Sequence, residues 1–521
     1  MTQDLSSAPV PESEVEINVE AEPNPAPDSE ATGKGKVSGR WVRAWQAAWL
    51  PLLAAALVAL VAVPYAGNFA SSPFDEHTHF DYVAKIAVDG EIPPKSDVLG
   101  QVALGSYCGT GGAWGGLACE PLPLDATTAP FQGASAATNY PPPFYIATAM
   151  LARAIHAIDP DMTTALPSRD TSWLQASRYA MIAWLLMAVV LLVTIGRRLG
   201  ASPLAVFGAA VLVGLTPIFL VQGTTVNNDV AAVAMGLLAV WAWLALEHRS
   251  PLLRITVAGA LAIFAAVGFK LTALFAVLVV AVLEWRARVV VASASATELS
   301  SNESAEVGLR EDQVSTTGET RSSTLLVIKA AIPTAVLLAV FAVSVRLEPL
   351  ISAAVRGSTG GPSGGTIPSA SLAKELASTV QYLFGSFTMS SANLFSGEFF
   401  ARWPLYLGLA AIGGIFYAVL RSRVPWRADR DDVVRQALAL FFIGFPLVML
   451  LYIALQGGTP FFQSRYLMGG AALAVVFLVV GIRKWWAATV LVVGSLFWVV
   501  VVVKVYTTTW GWALPEAFLK L

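Results

Sequence analysis

Titratable side chains are concentrated at residues 75–81, directly after the first long apolar segment of the chain. A Ser-Pro pair precedes this run in the manner of a helix start, and a helix would bring Asp75, His79 and Tyr82 to one face, because it repeats every 3.6 residues. Asp75 and His79 would then be placed to share a divalent cation, Mg or Mn, or to serve the two sides of one proton transfer. The alternative interpretation is structural: Asp75 caps the helix and Glu76 complements the helix dipole.

A second polar group, Asn227-Asn228-Asp229, lies between two apolar segments. Asparagine and aspartate before an apolar run make a good helix N-cap, and capping accounts for one of the three residues. It does not account for all of them. The three side chains are therefore candidates for binding a polar substrate.

Two isolated cations, Lys270 and Arg465, fall near the ends of apolar segments, and Arg465 stands between Gln463 and Tyr466. Charge near hydrocarbon is costly unless it has a partner, and an anionic ligand such as a lipid phosphate would supply one. Arginine suits phosphate because its planar guanidinium matches the phosphate oxygens. The alternative is that both side chains snorkel toward lipid headgroups.

Tyr140 and Tyr145 flank three consecutive prolines at residues 141–143. Prolines hold the backbone extended, so a rigid turn before an apolar helix is the simplest interpretation. The two tyrosines could also form a platform on which a sugar ring stacks.

The elements that must position these side chains are apolar helices. Hydrophobic residues make up 56% of the 521 residues and charged residues 13%, against about 25% charged in a soluble domain. Apolar runs of about 20 residues, enough to cross a hydrocarbon layer of about 30 Å, recur along the chain. We predict an all-α integral membrane protein in the lipid bilayer, with about eleven transmembrane helices. The predicted spans are 45–65, 173–195, 203–221, 230–246, 255–267, 271–283, 325–345, 404–420, 437–455, 466–480 and 487–503.

Lysine and arginine recur in every second connection between the predicted spans, and short cytoplasmic loops are enriched in these residues. The pattern places the amino terminus in the cytoplasm and the carboxyl terminus on the extracytoplasmic side of the cell membrane. Two short spans are predicted to form a hairpin with its tip at 268–270. We predict a disordered cytoplasmic tail at 1–43, a transmembrane domain at 44–505 and an external C-terminal tail at 506–521. The transmembrane domain includes a first external loop subdomain at 67–172, a cytoplasmic linker at 289–324 and a second external loop at 346–402.

The only two cysteines, Cys108 and Cys119, both fall in the first external loop. An external loop is in oxidising surroundings, so we predict a structural disulfide between them. The alternatives are two free thiols or a pair of metal ligands. The sequence has no basic stripe with interleaved aromatic residues, so we expect no nucleic-acid partner.

Four short motifs occur in the order found in a bacterial family of multipass membrane proteins that is defined by a domain of unknown function and is similar to GT-C glycosyltransferases. The motifs are Pro73-Phe74-Asp75-Glu76-His77-Thr78-His79-Phe80, Tyr140-Pro141-Pro142, Asn227-Asn228-Asp229 and Gln463-Ser464-Arg465-Tyr466. The resemblance spans roughly residues 45–505. Ser464 stands where that family usually has glycine, and Phe74 where proline is common.

The resemblance implies a GT-C-like fold and the transfer of a sugar from a polyprenyl-phosphate-linked donor to a cell-envelope glycan or glycolipid acceptor at the extracytoplasmic face. It implies that an acid in the first external loop is the base or a metal ligand: Asp75 first and Glu76 second. Arg465 and Lys270 become candidates for the donor phosphate. The alternative functions are a transporter, flippase or polymerase of envelope lipid-linked glycans, and a non-catalytic assembly scaffold.

Overall fold

The computed structural model describes residues 35–68, 75–110, 117–163, 168–285, 287–288, 332–347 except 334 and 345, and 468–509 except 481 and 483. The predicted spans 404–420 and 437–455, the linker 289–324 and nearly all of the loop 346–402 lie outside these residues. The chain divides into two compact units, Met1–Ala48 and Trp49–Leu521. Of the first unit, the structure describes the helical residues 35–48, which begin within the segment for which disorder is predicted.

Every regular element in the described part of the chain is a helix, which confirms the all-α class for those residues. The helices in chain order are α1 (Gly35–Asn68), α2 (Glu76–Ala84), α3 (Gln101–Tyr107), α4 (Pro142–Ile158), α5 (Ser172–Arg198), α6 (Pro203–Gly214), α7 (Pro217–Thr224), α8 (Asp229–Ala245), α9 (Pro251–Phe264), α10 (Leu271–Trp285), α11 (Ala335–Ser344), α12 (Met468–Val480) and α13 (Trp485–Thr509). A turn of π-helix follows α2 at Lys85–Asp89, and another follows α9 at Ala265–Phe269.

Three described stretches are long and apolar enough to cross a membrane: Trp49–Gly67 in α1, Ser172–Arg198, which is α5, and Pro251–Phe269, which is α9 with its π-helical turn. The bent pair α6 and α7 adds a fourth if it is counted as one span. The helices α8, α10, α11, α12 and α13 fall at further predicted spans. The described residues therefore support a membrane protein with three to four spans by length and composition, and they do not support the predicted number of about eleven.

The predicted span at 203–221 is broken in the structure, because the helix axis bends by 64° between α6 and α7. Thr216 at the break is extended, with φ −63° and ψ 143°, and Pro217 follows it. Proline has no N–H to continue the helix, and it disfavours the helical conformation of the residue before it. The sequence contained this signal.

The predicted hairpin at 268–270 is confirmed. The π-helical turn ends at Phe269, Lys270 is extended with φ −161° and ψ 139°, and α10 begins at the next residue. Arg254 at the start of α9 pairs with Glu284 at the end of α10 at 2.9 Å. The two helices are therefore antiparallel, with the tip at one end and this ion pair at the other.

The same ion pair marks one end of the whole helical assembly. The carboxylate of Glu284 also accepts hydrogen bonds from the indole Nε1 of Trp243, at the end of α8, at 3.1 Å, and from Arg288 at 2.8 Å. Arg198, at the end of α5, reaches the carbonyl of Leu244 at 3.4 Å. The ends of α5, α8 and α10 and the start of α9 thus meet here, and we call this the basic end.

The segment between α1 and α5 folds into a small helical subdomain, and its observed limits, Asn68 and Ser172, match the predicted external loop at 67–172. The buried carboxylate of Asp81 holds this subdomain together. It accepts hydrogen bonds from Gly100 N at 2.6 Å and Ser135 Oγ at 2.7 Å, and it pairs with Lys85 at 3.0 Å. The predicted disulfide between Cys108 and Cys119 is present.

We predict that Asp81 makes the stability of this subdomain depend on pH. Burial raises the pKa of Asp81 above its usual value of 3.8, against the opposing effects of Lys85 and of hydrogen bonds from Gly100 and Ser135. A raised pKa in the folded state stabilises the fold at low pH and loses that contribution as the pH rises through the folded pKa. The unfolding temperature should therefore fall as the pH rises from 3.8, the usual pKa of this carboxyl, through the raised pKa of the folded state, and Asp81→Asn should make that fall smaller.

The matched control is Asp125→Asn. Asp125 is exposed, and hydrogen bonds from Thr127 lower its pKa, so its contribution has the opposite sign. An Asp81→Asn protein whose unfolding temperature keeps the full pH dependence of the wild type would contradict the prediction.

Candidate functional site

A fully buried ion pair between Glu76 and Arg178 joins the loop subdomain to the transmembrane helices. Arg178 donates from Nε to Oε1 of Glu76 at 2.8 Å and from Nη2 to Oε2 at 2.7 Å, and both side chains are at most 1% exposed. Oε1 also accepts the backbone N–H of Val226 at 3.0 Å, while Nη1 of Arg178 donates to the carbonyl of Ala66 at 3.1 Å. One pair thus ties together the end of α1, the start of α2, helix α5 and the turn before α8.

Both oxygens of the second predicted acid, Glu76, are engaged in this pair. Neither oxygen can take the proton of an acceptor hydroxyl without giving up a hydrogen bond to Arg178. Tyr107 lies in the same buried region, where burial, and then the charge of Glu76, raise the pKa of its hydroxyl well above the usual value. The geometry therefore gives Glu76 a positioning role.

Asp75 differs from its neighbour in both backbone and exposure. Its backbone is left-handed, with φ 38° and ψ 18°, and its side chain makes no capping hydrogen bond to the helix. Its carbonyl instead accepts the N–H groups of Thr78 at 3.1 Å and His79 at 3.3 Å. The helix begins only at Glu76, so the predicted helical face that includes Asp75 is wrong, since the positive φ turns the residue out of the helix. Its carboxylate is exposed.

His79 and Tyr82 do share one face of α2, as the helical spacing predicts. Nδ1 of His79 lies 2.8 Å from the hydroxyl of Tyr145, and the rings of Tyr82 and Tyr145 are stacked with centroids 3.9 Å apart. The other side of this cluster is Tyr140, whose ring stacks on His79 at 5.6 Å. Tyr145 is completely buried and cannot form a platform for a sugar, whereas Tyr140 is half-buried and can.

His77 lies on a different side of α2, with its ring edge-on to Tyr107 at 6.3 Å. Burial lowers its pKa below 6.5, against the raising effects of Asp75 and Glu76. His77 is therefore neutral at physiological pH.

The motif Asn227-Asn228-Asp229 meets the tip of the α9–α10 hairpin. Asp229 pairs with Lys270 at 2.8 Å, and Nδ2 of Asn228 donates to the carbonyl of Phe269 at 3.1 Å. Asn227 holds the turn itself, since its Oδ1 accepts the N–H of Asp229 at 3.0 Å. Lys270 thus has a partner within the chain, and its Nζ lies 5.8 Å from the ring centroid of Tyr140.

These contacts bring separate motifs into one site. His79 stacks on Tyr140, and Tyr140 lies beside Lys270. Lys270 pairs with Asp229, which is close in sequence to Val226, the turn residue whose N–H binds Glu76. The predicted site residues Gln463, Arg465 and Tyr466 lie outside the described residues. In the described part of the chain, no group of three or more His, Cys, Asp or Glu side chains could hold a metal ion. The predicted Mg or Mn ligands there remain Asp75 and His79.

The structure adds three residues to the predicted set. Arg178 could have been found from the sequence, because an arginine within a predicted span calls for a partner. Gln175 and Gln222 carried no such signal. Both are buried, and their amide groups have no hydrogen-bond partner among the described residues.

Comparison of the chain with family models, with curated proteins and with solved structures found no match of any of the three kinds.

We expect the ion pair of Glu76 and Arg178 to be essential for stability. Glu76→Gln removes the partner of a buried guanidinium, and breaking a buried pair costs about 3–5 kcal/mol, because one charge is left uncompensated. The temperature at which half of the detergent-purified protein stays monodisperse should therefore fall markedly. The exposed Arg249→Gln is the control, with no change expected. Equal thermal stability of the two variants would show that the pair does not hold the fold together.

Proposed function

We propose that this protein is a membrane glycosyltransferase of the GT-C type, which transfers a sugar from a polyprenyl-phosphate-linked donor to a cell-envelope glycan or glycolipid acceptor at the extracytoplasmic face. The observation that carries the proposal is that an exposed acid, Asp75, directly precedes the helix whose His79 forms an ordered aromatic and cationic cluster with Tyr140 and Lys270, and that the carbonyl of Asp75 accepts the N–H of His79 at 3.3 Å. Acceptor activation, sugar stacking and phosphate binding need these three kinds of group.

In the proposed reaction Asp75 is the base. It takes the proton of an acceptor hydroxyl as the hydroxyl oxygen attacks the anomeric carbon of the donor sugar. The bond from that carbon to the phosphate oxygen breaks, the lipid phosphate leaves as an anion, and the configuration at the anomeric carbon is inverted. The exposed position of Asp75 suits this role, because its proton can then pass to water.

Lys270 is the proposed partner of the leaving phosphate, with Arg465 as a second cation contributed by the motif at 463–466. Lys270 is already paired with Asp229 at 2.8 Å, so a bound phosphate would share it with that carboxylate. A cation near the bond that breaks stabilises the charge that develops there. The expectation of Mg or Mn comes from the spacing of Asp75 and His79 and from the resemblance, and no step is assigned to a metal.

Sugar recognition is assigned to Tyr140 and to the amides beside it. One face of the Tyr140 ring stacks on His79, and its partial exposure leaves room for a sugar ring. Oδ1 of Asn228 has no partner among the described residues and can accept a hydrogen bond from a hydroxyl group. Asn227 is occupied in the turn and is assigned a positioning role.

The proposed topology is that of the sequence analysis, with about eleven spans, a cytoplasmic amino terminus and an extracytoplasmic carboxyl terminus. Helices at nine of the predicted spans support it: α1, α5, α6 with α7, α8, α9, α10, α11, α12 and α13. The arginines at the basic end, which is opposite the site, support this topology as well.

One observation favours the alternative of a transporter or flippase for lipid-linked glycans. The span formed by α6 and α7 is broken by 64°, and discontinuous helices commonly line transport sites. Transporters of that kind pair such a break with a second one in a related half of the chain. The described residues do not contain a second bent pair of this type.

We predict that Asp75→Asn abolishes transfer while leaving the protein folded, because it removes the base but keeps the size of the side chain. Glycan transfer should fall by at least about a hundredfold, the lower scale for losing general acid-base assistance. Lipid-linked sugars extracted from the cells should accumulate. Asp89→Asn, an exposed acid of the same subdomain, is the control and should be normal. Normal envelope glycans with Asp75→Asn at wild-type protein levels would rule out the enzymatic proposal.

The orientation is tested with two exposed positions, Glu91 in the loop subdomain and Arg249 at the basic end. The two native cysteines are bonded to each other, so a single introduced cysteine is the only free thiol. In intact cells a membrane-impermeant thiol reagent should label Glu91→Cys and spare Arg249→Cys. The reverse pattern would place the site in the cytoplasm and remove the extracytoplasmic mechanism.

A further inference from the structure

Helix α4 lies antiparallel to the first half of α5. Thr148 on α4 accepts a hydrogen bond from the indole of Trp184 at 3.2 Å, and His156, two turns later, stacks on Trp173 with ring centroids 3.9 Å apart. Trp173 is at the start of α5, and Trp184 is near its middle. The amino-terminal end of α4 is therefore the end that reaches deeper along α5.

Distances along α5 give the depth in the membrane of the residues that contact it, because an α-helix rises about 1.5 Å per residue. The 27 residues of α5 extend about 40 Å, roughly 10 Å more than the hydrocarbon layer of a bilayer. Arg197 and Arg198 in its last turn belong at a headgroup layer. Measured along the helix from Arg198, Trp184 is about 21 Å away and lies inside the hydrocarbon layer. Trp173 is about 37 Å away and lies beyond that layer.

The start of α4 gives the same depth independently. The ring of Phe144 packs against that of Phe269 at 6.1 Å, in the last turn of the candidate span Pro251–Phe269. Phe264 in that span packs on Phe269 as well, at 5.6 Å, and its side chain is 46% exposed. The start of α4 therefore adjoins an apolar surface that is exposed at membrane depth.

The outward face of α4 is apolar where it continues this surface. Met150 is 66% exposed and Leu151 is 37% exposed, two to three residues beyond the contact of Thr148 with Trp184. Ile158, at the far end of α4, is 84% exposed. Arg153, between Leu151 and Ile158, is exposed as well, and its guanidinium is satisfied by donating to the carbonyls of Ile86 and Ala87.

We infer that α4 is inserted into the membrane leaflet on the side of the loop subdomain, with Met150 and Leu151 against lipid acyl chains and Ile158 at the level of the headgroups. The loop subdomain, which the sequence predicts to be external, is then partly embedded in the membrane. This inference does not depend on the proposed function. It does specify the site further: Tyr140, next to the inserted end of α4, lies below the membrane surface, so a ligand with a lipid tail can reach it from within the leaflet.

The test is quenching by brominated lipid in nanodiscs. Met150→Cys, in the full chain with its disulfide intact, is labelled with a fluorophore, and the nanodiscs contain lipids brominated on the acyl chains. Leu60→Cys, an exposed position in the α1 span, is the membrane control, and Glu91→Cys is the aqueous control. We expect the Met150 probe to be quenched to a similar extent as the Leu60 probe, by at least about twofold more than the Glu91 probe.

Quenching at the level of the Glu91 probe, with free access of aqueous iodide, would place α4 in water and overturn the inference. Protection of the Met150 probe from both quenchers would overturn it too, because protein would then cover this face. Ile158→Cys is a second variant that reports on the same face if Met150→Cys does not fold. Bromine near the headgroups should quench its probe more strongly than bromine near the bilayer centre. None of these readouts requires transferase activity, so a failure here is distinguishable from a failure of the proposed function.

Discussion

Inside a membrane protein neither a carboxylate nor a guanidinium can be left without a partner, and the bond between Glu76 and Arg178 follows from this constraint. Arg178 is on a long transmembrane helix that contains no Asp or Glu, so its charge must be matched from outside that helix. The match comes from the first residue of α2, and the remaining hydrogen-bonding capacity of the pair is used on Ala66 and Val226. Satisfying one buried charge thereby fixes three chain segments around it.

A second consequence is the separation of polar contacts into two ends. At the basic end, Arg254 and Glu284 close the hairpin, and at the other end Lys270 meets Asp229. Between the ends the helices pack through small and apolar residues: a side chain at Gly236 would come within 2.6 Å of the ring of Phe275. The ion pairs therefore set the register of α8, α9 and α10 along the membrane normal, while apolar packing sets their separation.

The sequence predicted Tyr140, Asp229 and Lys270 as separate candidates, and their contacts with one another are seen only in the structure. The hairpin and the disulfide could be predicted, from segment length and compartment respectively. The left-handed backbone of Asp75 could not, since it depends on how the loop enters the Glu76 contact rather than on residue type. Nor could the burial of Tyr145, because helical spacing shows which residues share a face but not what covers it.

Asp75 and Glu76 are neighbours in the sequence, but the backbone conformation at Asp75 gives their two carboxylates different surroundings. In a continuous helix Asp75 and Glu76 would lie about 100° apart and experience similar surroundings. The positive φ at Asp75 instead leaves its carboxylate exposed, while Glu76 starts the helix and turns toward Arg178. Glu76 is held by contacts that a ligand cannot displace without breaking the pair with Arg178. Asp75 makes no capping hydrogen bond to the helix, so the base that we propose is separate from the pair that fixes the start of α2.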